Sequence, residues 1–272
     1  MEYWNHIYEH FNPVAFTFFS IPVHWYGLMY VLALLSALMI AKYFVKKNHL
    51  EITSTQLDSY FLFAEVGVIL GARVGYILFY DPHTSYFLTH PWQIFNPFID
   101  GKFVGIRGMS YHGAIIGFMI GSYLYTLKYK VSFGKLMDVV ALSIPLAYVF
   151  GRIGNFLNQE LVGRVTDVPW GILVHGTLRH PSQLYEALLE GIGVFIVVYS
   201  YQKYQKFSGE LLLVYAFSYG IFRSIAEMFR APDTQIGYVC CNEITQGQVM
   251  SLGMSFVALI IWIYFYKVRM KK

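Results

Sequence analysis

Apolar positions in this chain come in long runs broken by short polar stretches, without the alternation that marks strands. About 20 consecutive apolar residues let a helix cross a bilayer. Seven runs have that character, at about 24–45, 57–80, 111–127, 136–157, 183–201, 209–229 and 248–266. They predict an all-α polytopic membrane protein with seven transmembrane helices. Residues 1–272 read as a single integral membrane domain, with outer loop or head segments at about 81–110 and 158–182. Trp92, Phe95, Phe98 and Trp170 in those segments fit the headgroup layer, where amphipathic rings collect. No internal repeat or low-complexity tract interrupts the pattern. Residues 1–10 lack a basic stretch and a small-residue cleavage site, so no cleavable signal peptide is expected and the first span acts as the insertion signal.

Charge placement gives the orientation, because cytoplasmic ends gather Lys and Arg. With the N-terminus outside and the C-terminus cytoplasmic, the inner ends hold Lys42, Lys46, Lys47, Lys128, Lys130, Lys135, Lys203, Lys206, Lys267, Arg269, Lys271 and Lys272. All but one are lysine. The remaining basic residues are Arg73, Lys102, Arg107, Arg152, Arg164, Arg179, Arg223 and Arg230, and all but one of these are arginine. The positive-inside rule accounts for the lysines and leaves the arginines unexplained. A guanidinium stays protonated and binds phosphate or carboxylate through a planar fork. At mid-bilayer it costs roughly 2.5–3.5 kcal/mol on insertion scales. Pairing with Glu65, Glu160, Glu186, Glu190 or Glu227 is expected to neutralise two or three of the seven, which leaves the others in need of an anionic partner.

Composition narrows the function classes. Hydrophobic residues make up 56% of the chain and charged residues 13%, with a mean hydropathy of +0.47. Soluble domains carry about 25% charge, so a soluble enzyme, a disordered chain and a nucleic-acid binder are excluded. The net charge of +4 is not gathered on one basic face. Cys240 and Cys241 are adjacent, which gives neither a metal-ligand spacing nor a disulfide framework, and two ordinary thiols are favoured over a strained vicinal disulfide. No metal site or cofactor is implied, since no phosphate-cradling loop, paired-histidine motif or dinucleotide fingerprint is present.

Four polar clusters could carry chemistry. The densest runs from Gly151 to Arg164 and closes the fourth span. Arg152, Asn155 and Gln159 are spaced to share one helix face, and Gly151 and Gly154 allow close approach of a backbone or ligand. Such a face suits a lipid headgroup or phosphate; the plainer reading is a helix end meeting interfacial water. Tyr219, Arg223, Glu227 and Arg230 fall on one stripe of the sixth span. There an Arg223–Glu227 pair would leave Arg230 and Tyr219 to meet something else; a purely structural ion pair is the alternative. His112 stands where an outer loop enters the third span and can exchange a proton near neutral pH, although histidines so placed often only bond a neighbour. Tyr26 reads first as an aromatic belt residue. In 179–186 Ser182 is expected to cap the fifth helix, with His180, Gln183 and Glu186 following.

Taken together these segments resemble the bacterial prolipoprotein diacylglyceryl transferases. The likeness rests on Gly151-Arg-Ile-Gly-Asn-Phe-Leu-Asn-Gln-Glu-Leu-Val-Gly163, supported by His24-Trp-Tyr-Gly-Leu-Met-Tyr30, Met109-Ser-Tyr-His-Gly113, Arg179-His-Pro-Ser-Gln-Leu-Tyr-Glu186 and the stretch from Tyr219 to Asp233. Ala114, where a second glycine is expected, and the segment 240–246 depart from the family pattern. The resemblance implies seven transmembrane helices with a small outer head, in the bacterial cytoplasmic (inner) membrane. The implied activity moves the diacylglyceryl group of phosphatidylglycerol to the lipobox cysteine of a prolipoprotein signal peptide, giving a thioether and glycerol 1-phosphate, with no cofactor.

For that reaction the thiol must lose a proton and the departing phosphate must be stabilised. Arg152 and Arg223 are expected to grip the phosphate, with Asn155 orienting the headgroup. Asn158, Glu160, Gly163, Glu227 and Arg230 complete the phosphatidylglycerol site, with Glu160 and Glu227 holding the arginines. His112 is the expected base, and Tyr26 and Tyr219 position it or the lipid. An arginine acting electrostatically on the thiol would leave His112 structural. A transporter or flippase for an anionic lipid or metabolite is the competing class, since it could use the same outer arginines.

Overall fold

The computed structural model describes residues 1–19, 21–99, 101–103, 108–232, 238–240 and 244–270. Arg107, Asp233, Cys241, Lys271, Lys272 and the Cys240 side chain, all singled out above, lie outside the described residues. Seven long helices fall on the seven predicted runs: α1 (Trp25–Lys47), α2 (Ser54–Phe79), α3 (Tyr111–Tyr129), α4 (Phe133–Leu157), α5 (Ser182–Tyr204), α6 (Glu210–Glu227) and α7 (Gln246–Met270). Among the described residues α1, α2, α4, α5 and α7 are long and apolar enough to cross a membrane. The protein is therefore a polytopic all-α membrane protein. α6 falls short because it carries Glu210, Arg223 and Glu227 in 18 residues, and α3 because Gly, Tyr, Ser, His112 and Lys128 dilute its 19.

The helical reading omitted short hairpins. Those described are β1 (Val14–Phe18) with β2 (Ile21–His24), β3 (Phe98–Ile99) with β4 (Lys102–Phe103), β5 (Ile172–Val174) with β6 (Thr177–Arg179), and β7 (Tyr238–Cys240) with β8 (Ile244–Thr245), each pair antiparallel. They occupy segments that leave the apolar runs, where backbone groups need partners of their own.

The chain forms two compact units, Leu50–Phe133 and a larger one made of Met1–His49 with Gly134–Lys272. In the smaller unit α2 and α3 pack antiparallel through glycines four residues apart on both helices. A Cβ on Gly71 would lie 2.3 Å from the Gly113 carbonyl oxygen, and one on Gly117 would lie 2.1 Å from that of Gly67. Only hydrogen fits between these backbones, which is how helices associate where no water drives them together. The expected outer loop at 81–110 holds a short helix, Thr84–Thr89, and a 3₁₀ turn, Pro91–Phe95. Arg73 Nε donates to the Ile94 carbonyl at 2.5 Å and Nη1 to that of Gly108 at 3.2 Å, tying this segment to α2.

In the larger unit the apolar core joins Phe44 of α1, Ala141 and Leu142 of α4, Val194 and Val198 of α5, and Leu211 and Val214 of α6. At one end of that unit Asp138 accepts the backbone N–H groups of Gly209 (2.8 Å) and Leu211 (2.9 Å), so a buried carboxylate neutralises the positive start of α6. At the other end Tyr8, Phe156 and Ile172 make a second small core with Trp4, Phe11 and Leu184. This end includes the 158–182 segment, and it is ordered by the N-terminal residues: Trp4 Nε1 donates to the Trp170 carbonyl at 2.8 Å and Asn5 Nδ2 to that of Gly171 at 2.6 Å.

Two local expectations change. Ser182 does not cap α5; its Oγ donates to the Leu161 carbonyl at 3.1 Å, and Pro181 holds the cap position without a side-chain bond. A serine inside the first turn is free to tie that turn to the segment entering it. Gln159 does not continue the Arg152–Asn155 face, because α4 ends at Leu157 and Gln159 takes a left-handed φ of 58°. Its amide instead donates to the carbonyls of Tyr8 (3.0 Å) and Phe11 (3.2 Å).

Candidate active site

Three helices of the larger unit bring their charged residues to one place. α4 supplies Tyr148, Arg152 and Asn155, α5 supplies Glu186 and Glu190, and α6 supplies Tyr219, Arg223 and Glu227. The α5 segment Ala187–Gly193 is a π-helix. Such wider turns often mark functional sites, and here the widening lies between and beyond two glutamates that are both fully buried. The α4 backbone comes close beside it: a Cβ on Gly191 would sit 3.2 Å from the Pro145 carbonyl oxygen.

Glu186 is the hub. Its Oε2 lies 2.9 Å from Arg152 Nε and 3.0 Å from Arg223 Nη1, and its Oε1 lies 3.6 Å from Arg230 Nη1. Arg223 also reaches Glu190 Oε1 at 3.3 Å and Glu227 Oε2 at 2.6 Å. Three guanidiniums thus face three carboxylates, and their formal charges cancel. This is how buried charge becomes tolerable: removal of either sign leaves the other uncompensated in a low-dielectric region. Tyr148 links two of the members, donating to Glu190 Oε2 at 2.5 Å and accepting from Arg152 Nε at 2.6 Å. Arg152 Nη1 donates to Asn155 Oδ1 at 3.2 Å, and Asn155 Nδ2 passes the chain to Glu160 Oε1 at 2.8 Å. Among the described residues the side-chain hydrogen bonds of Arg152 run from Nε and Nη1, and none from Nη2. The three arginine side chains keep 13–15% of their surface accessible, so the cluster has an open edge.

The predicted residues fall into distinct roles. Arg152, Asn155, Glu160, Arg223, Glu227 and Arg230 are assembled together. Glu227 holds Arg223 as expected and also accepts from Thr245 Oγ1 at 3.1 Å; a Cβ on Gly247 would lie 2.8 Å from its Oε1. Glu160 bonds Asn155 rather than an arginine, because Glu186 already occupies Arg152. Arg230 lies beyond the end of α6 rather than on its stripe, in an isolated bridge with Gly163. Gly163 has a steric reason to be glycine: a Cβ there would lie 2.5 Å from the His180 carbonyl oxygen and 2.6 Å from that of Phe229. Asn158 Oδ1 accepts the Tyr26 backbone N–H at 3.4 Å, at the start of α1. Tyr26 packs on Gly154, whereas a Cβ on Gly151 would meet nothing within 4 Å. Tyr219 stands edge-on to Tyr148, with centroids 6.0 Å apart. His112 belongs to the smaller unit, exposed in the first turn of α3 with its ring against Tyr111.

The other arginines answer the sequence question differently. Arg164 Nε donates to the Arg230 carbonyl at 3.0 Å and Arg179 Nη1 to that of Gly163 at 3.1 Å, and Arg73 binds carbonyls as above. Carboxylates therefore hold three arginines, as expected, and backbone oxygens engage three more. Beside this framework His180 stands between Tyr185 and Phe229, and burial holds its imidazole below its ordinary pKa, only partly offset by Asp167. Sequence reading missed Tyr148 and the central place of Glu186 and Glu190. The available signal was an ionisable residue inside an apolar run, which marks a site by default; the Tyr148–Arg152 and Glu186–Glu190 spacings of four repeat it.

The chain that builds this cluster is similar to known proteins over nearly its whole length. The prolipoprotein diacylglyceryl transferase family matches residues 13–264. A phosphatidylglycerol–prolipoprotein diacylglyceryl transferase of Campylobacter jejuni subsp. jejuni is 62% identical over 263 residues, 97% of each chain. Similar proteins of the same name come from Aliarcobacter butzleri, 58% identical over 100% of this chain and 98% of the relative, and from Wolinella succinogenes, 59% identical over 97% of each. With a family match over nearly the whole length and relatives near 60% identity, the chain belongs to the prolipoprotein diacylglyceryl transferase family.

Proposed function

We propose that this protein transfers the diacylglyceryl group of phosphatidylglycerol to the lipobox cysteine thiol of prolipoproteins. The observation that carries the reading is the arginine–glutamate cluster with an open edge, on a membrane-spanning bundle of this family. The cysteine thiolate attacks the glycerol carbon bonded to the phosphate ester oxygen. A C–S bond forms, the C–O bond breaks, and glycerol 1-phosphate leaves with the bonding pair. A free thiol has a pKa near 8.5, so a base assists; His112 takes that proton. Arg152 offers Nη2 to the phosphate, and Arg223 adds the second guanidinium by exchanging a carboxylate for phosphate oxygen. Such preorganised charge is usually the largest catalytic contribution. Asn155 and Asn158 orient the headgroup, and Tyr26 and Tyr219 position lipid or thiol. Glu160, Glu227, Gly163 and Arg230 keep the cluster in shape. The acyl chains stay in the bilayer and enter sideways between helices.

The proposed setting has seven spans, counting α3 and α6, with the N-terminus outside, the C-terminus cytoplasmic and the arginine cluster toward the extracytoplasmic side of the bacterial inner membrane. The test incubates purified protein with phosphatidylglycerol and a lipobox peptide. The peptide should gain the mass of one diacylglyceryl group at its cysteine, with equimolar glycerol phosphate released. A peptide left unmodified while labelled lipid changes leaflet in vesicles would assign the site to lipid transport instead.

A further inference from the structure

The other end of the larger unit carries a second cationic site. α1 begins at Trp25, with Tyr26 against Gly154 of the arginine end, and runs 23 residues, about 35 Å at 1.5 Å per residue. At its far end Lys47, Asn48, Tyr199, Ser200, Gln202 and Lys203 line an open cavity of about 540 Å³. Lys47 Nζ donates to Tyr199 Oη at 2.8 Å and lies 4.7 Å from the centroid of that ring, 5.6 Å from that of Tyr43 and 5.8 Å from that of Phe44. Lys203 Nζ lies 4.9 Å over the Tyr204 ring. These aromatic contacts place the ammonium groups without cancelling their charge. The cavity lining contains no carboxylate, and among the described residues none stands within ion-pair distance of Lys47 or Lys203.

We propose that this cavity binds the phosphate headgroup of an anionic phospholipid in the leaflet opposite the arginine cluster. Capping alone does not account for the charge. The ends of α1 and α5 each present about half a negative charge, while Lys46, Lys47 and Lys203 bring three positive ones. An insertion signal needs only lysines near the span ends; it does not need two helices to converge theirs on one hollow with hydroxyl and amide donors around it. Lys47 and Lys203 clamp the phosphodiester, Ser200 and Tyr199 donate to its free oxygens, and Asn48 and Gln202 meet the polar part of the headgroup. The tyrosine belt sets the depth at which a headgroup lies.

The experiment titrates delipidated protein in neutral detergent with phosphatidylglycerol and counts bound lipids by native mass spectrometry, for wild type and for K47Q/K203Q. A lysine near an anionic lipid surface contributes a factor of about five, so one lipid adduct should weaken roughly thirtyfold in the double variant while the others stay. Thermal unfolding of the double variant should match wild type, which separates lost binding from lost fold. Unchanged lipid stoichiometry and affinity in K47Q/K203Q would overturn the proposal. So would equal occupancy by phosphatidylcholine, which carries no net charge. Soluble glycerophosphoglycerol filling the cavity as tightly as the lipid would assign it to a water-soluble phosphate ester and reject the lipid. Each outcome is independent of the transfer reaction, because none reads product at the arginine end.

Discussion

The two ends of the larger unit both carry cations, yet they are built by opposite rules. At the arginine end three guanidiniums are 13–15% exposed and interlocked with Glu186, Glu190 and Glu227. At the lysine end the ammonium groups are exposed and rest on tyrosine rings. Burial explains the difference. A buried cation requires a built anion, so arginine positions come with glutamate positions on neighbouring helices. A cation at the water boundary needs none. The arginine cluster therefore depends on every member, while the lysine cavity should lose its lysines one at a time without consequence for the fold.

The sharpest break is at Glu186. Replacement by Ala removes the carboxylate shared by Arg152, Arg223 and Arg230 and leaves buried positive charge uncompensated. A loss of about 3–5 kcal/mol is expected, read as a large fall in the unfolding midpoint in detergent together with loss of transfer. Thermal unfolding equal to wild type would show that the three arginines do not depend on this hub.

His112 and Arg152 come next, and they separate chemistry from construction. For His112→Gln turnover should fall by about 10²–10⁴, the usual range for a lost general base, with unfolding unchanged because the side chain is exposed. Near-normal release of glycerol phosphate would remove His112 from the proton transfer and leave an arginine to act on the thiol. For Arg152→Lys the charge persists and the fork is lost. A drop of about 10²–10³ in turnover is expected, because an ammonium cannot bond Tyr148, Glu186 and Asn155 and still offer a donor to the phosphate; full activity would refute that role of the guanidinium.

These contrasts also explain what was legible in the sequence. The helices were, because long apolar runs have few other uses, and five of them are long and apolar enough to cross a membrane. So was the company of Arg152, Asn155, Arg223 and Glu227, because dense polar groups at the end of an apolar run stand out. The membership of Tyr148 was not, because it sits in a hydrophobic stretch and acquires its partners only when α4, α5 and α6 pack; Glu190 was among the expected arginine partners, but its bond to Tyr148 was not foreseen. Gln159 and Arg230 misled for a related reason. Helical spacing placed them on faces of α4 and α6 that end at Leu157 and Glu227, before reaching them. The short hairpins were missed because their strands span only two to five residues.

The smaller unit offers a middle term, since its two long helices meet backbone to backbone at their glycines. Gly71→Ala places a methyl group 2.3 Å from the Gly113 carbonyl oxygen and 2.7 Å from Gly117 Cα. Both neighbours are backbone, so α2 and α3 must move apart, at about 1–3 kcal/mol. Circular dichroism on heating should show the lowered midpoint. An unchanged midpoint would mean that the two helices separate freely and that their glycines carry no packing energy.

The smallest effect belongs to the lysine end. K47Q/K203Q should leave diacylglyceryl transfer within about twofold of wild type at saturating lipid, because surface substitutions of this kind fall within about 0.5 kcal/mol. About 35 Å of helix separates these ammonium groups from Tyr26, several times the ~8 Å over which physiological salt screens exposed charge. Their field therefore does not reach the arginine cluster through water, and the rings that hold them belong to none of its members. A tenfold loss of transfer at saturating lipid would break the comparison between the ends. It would mean that occupancy of one leaflet governs chemistry in the other, through the helices α1 and α5 that the two sites share.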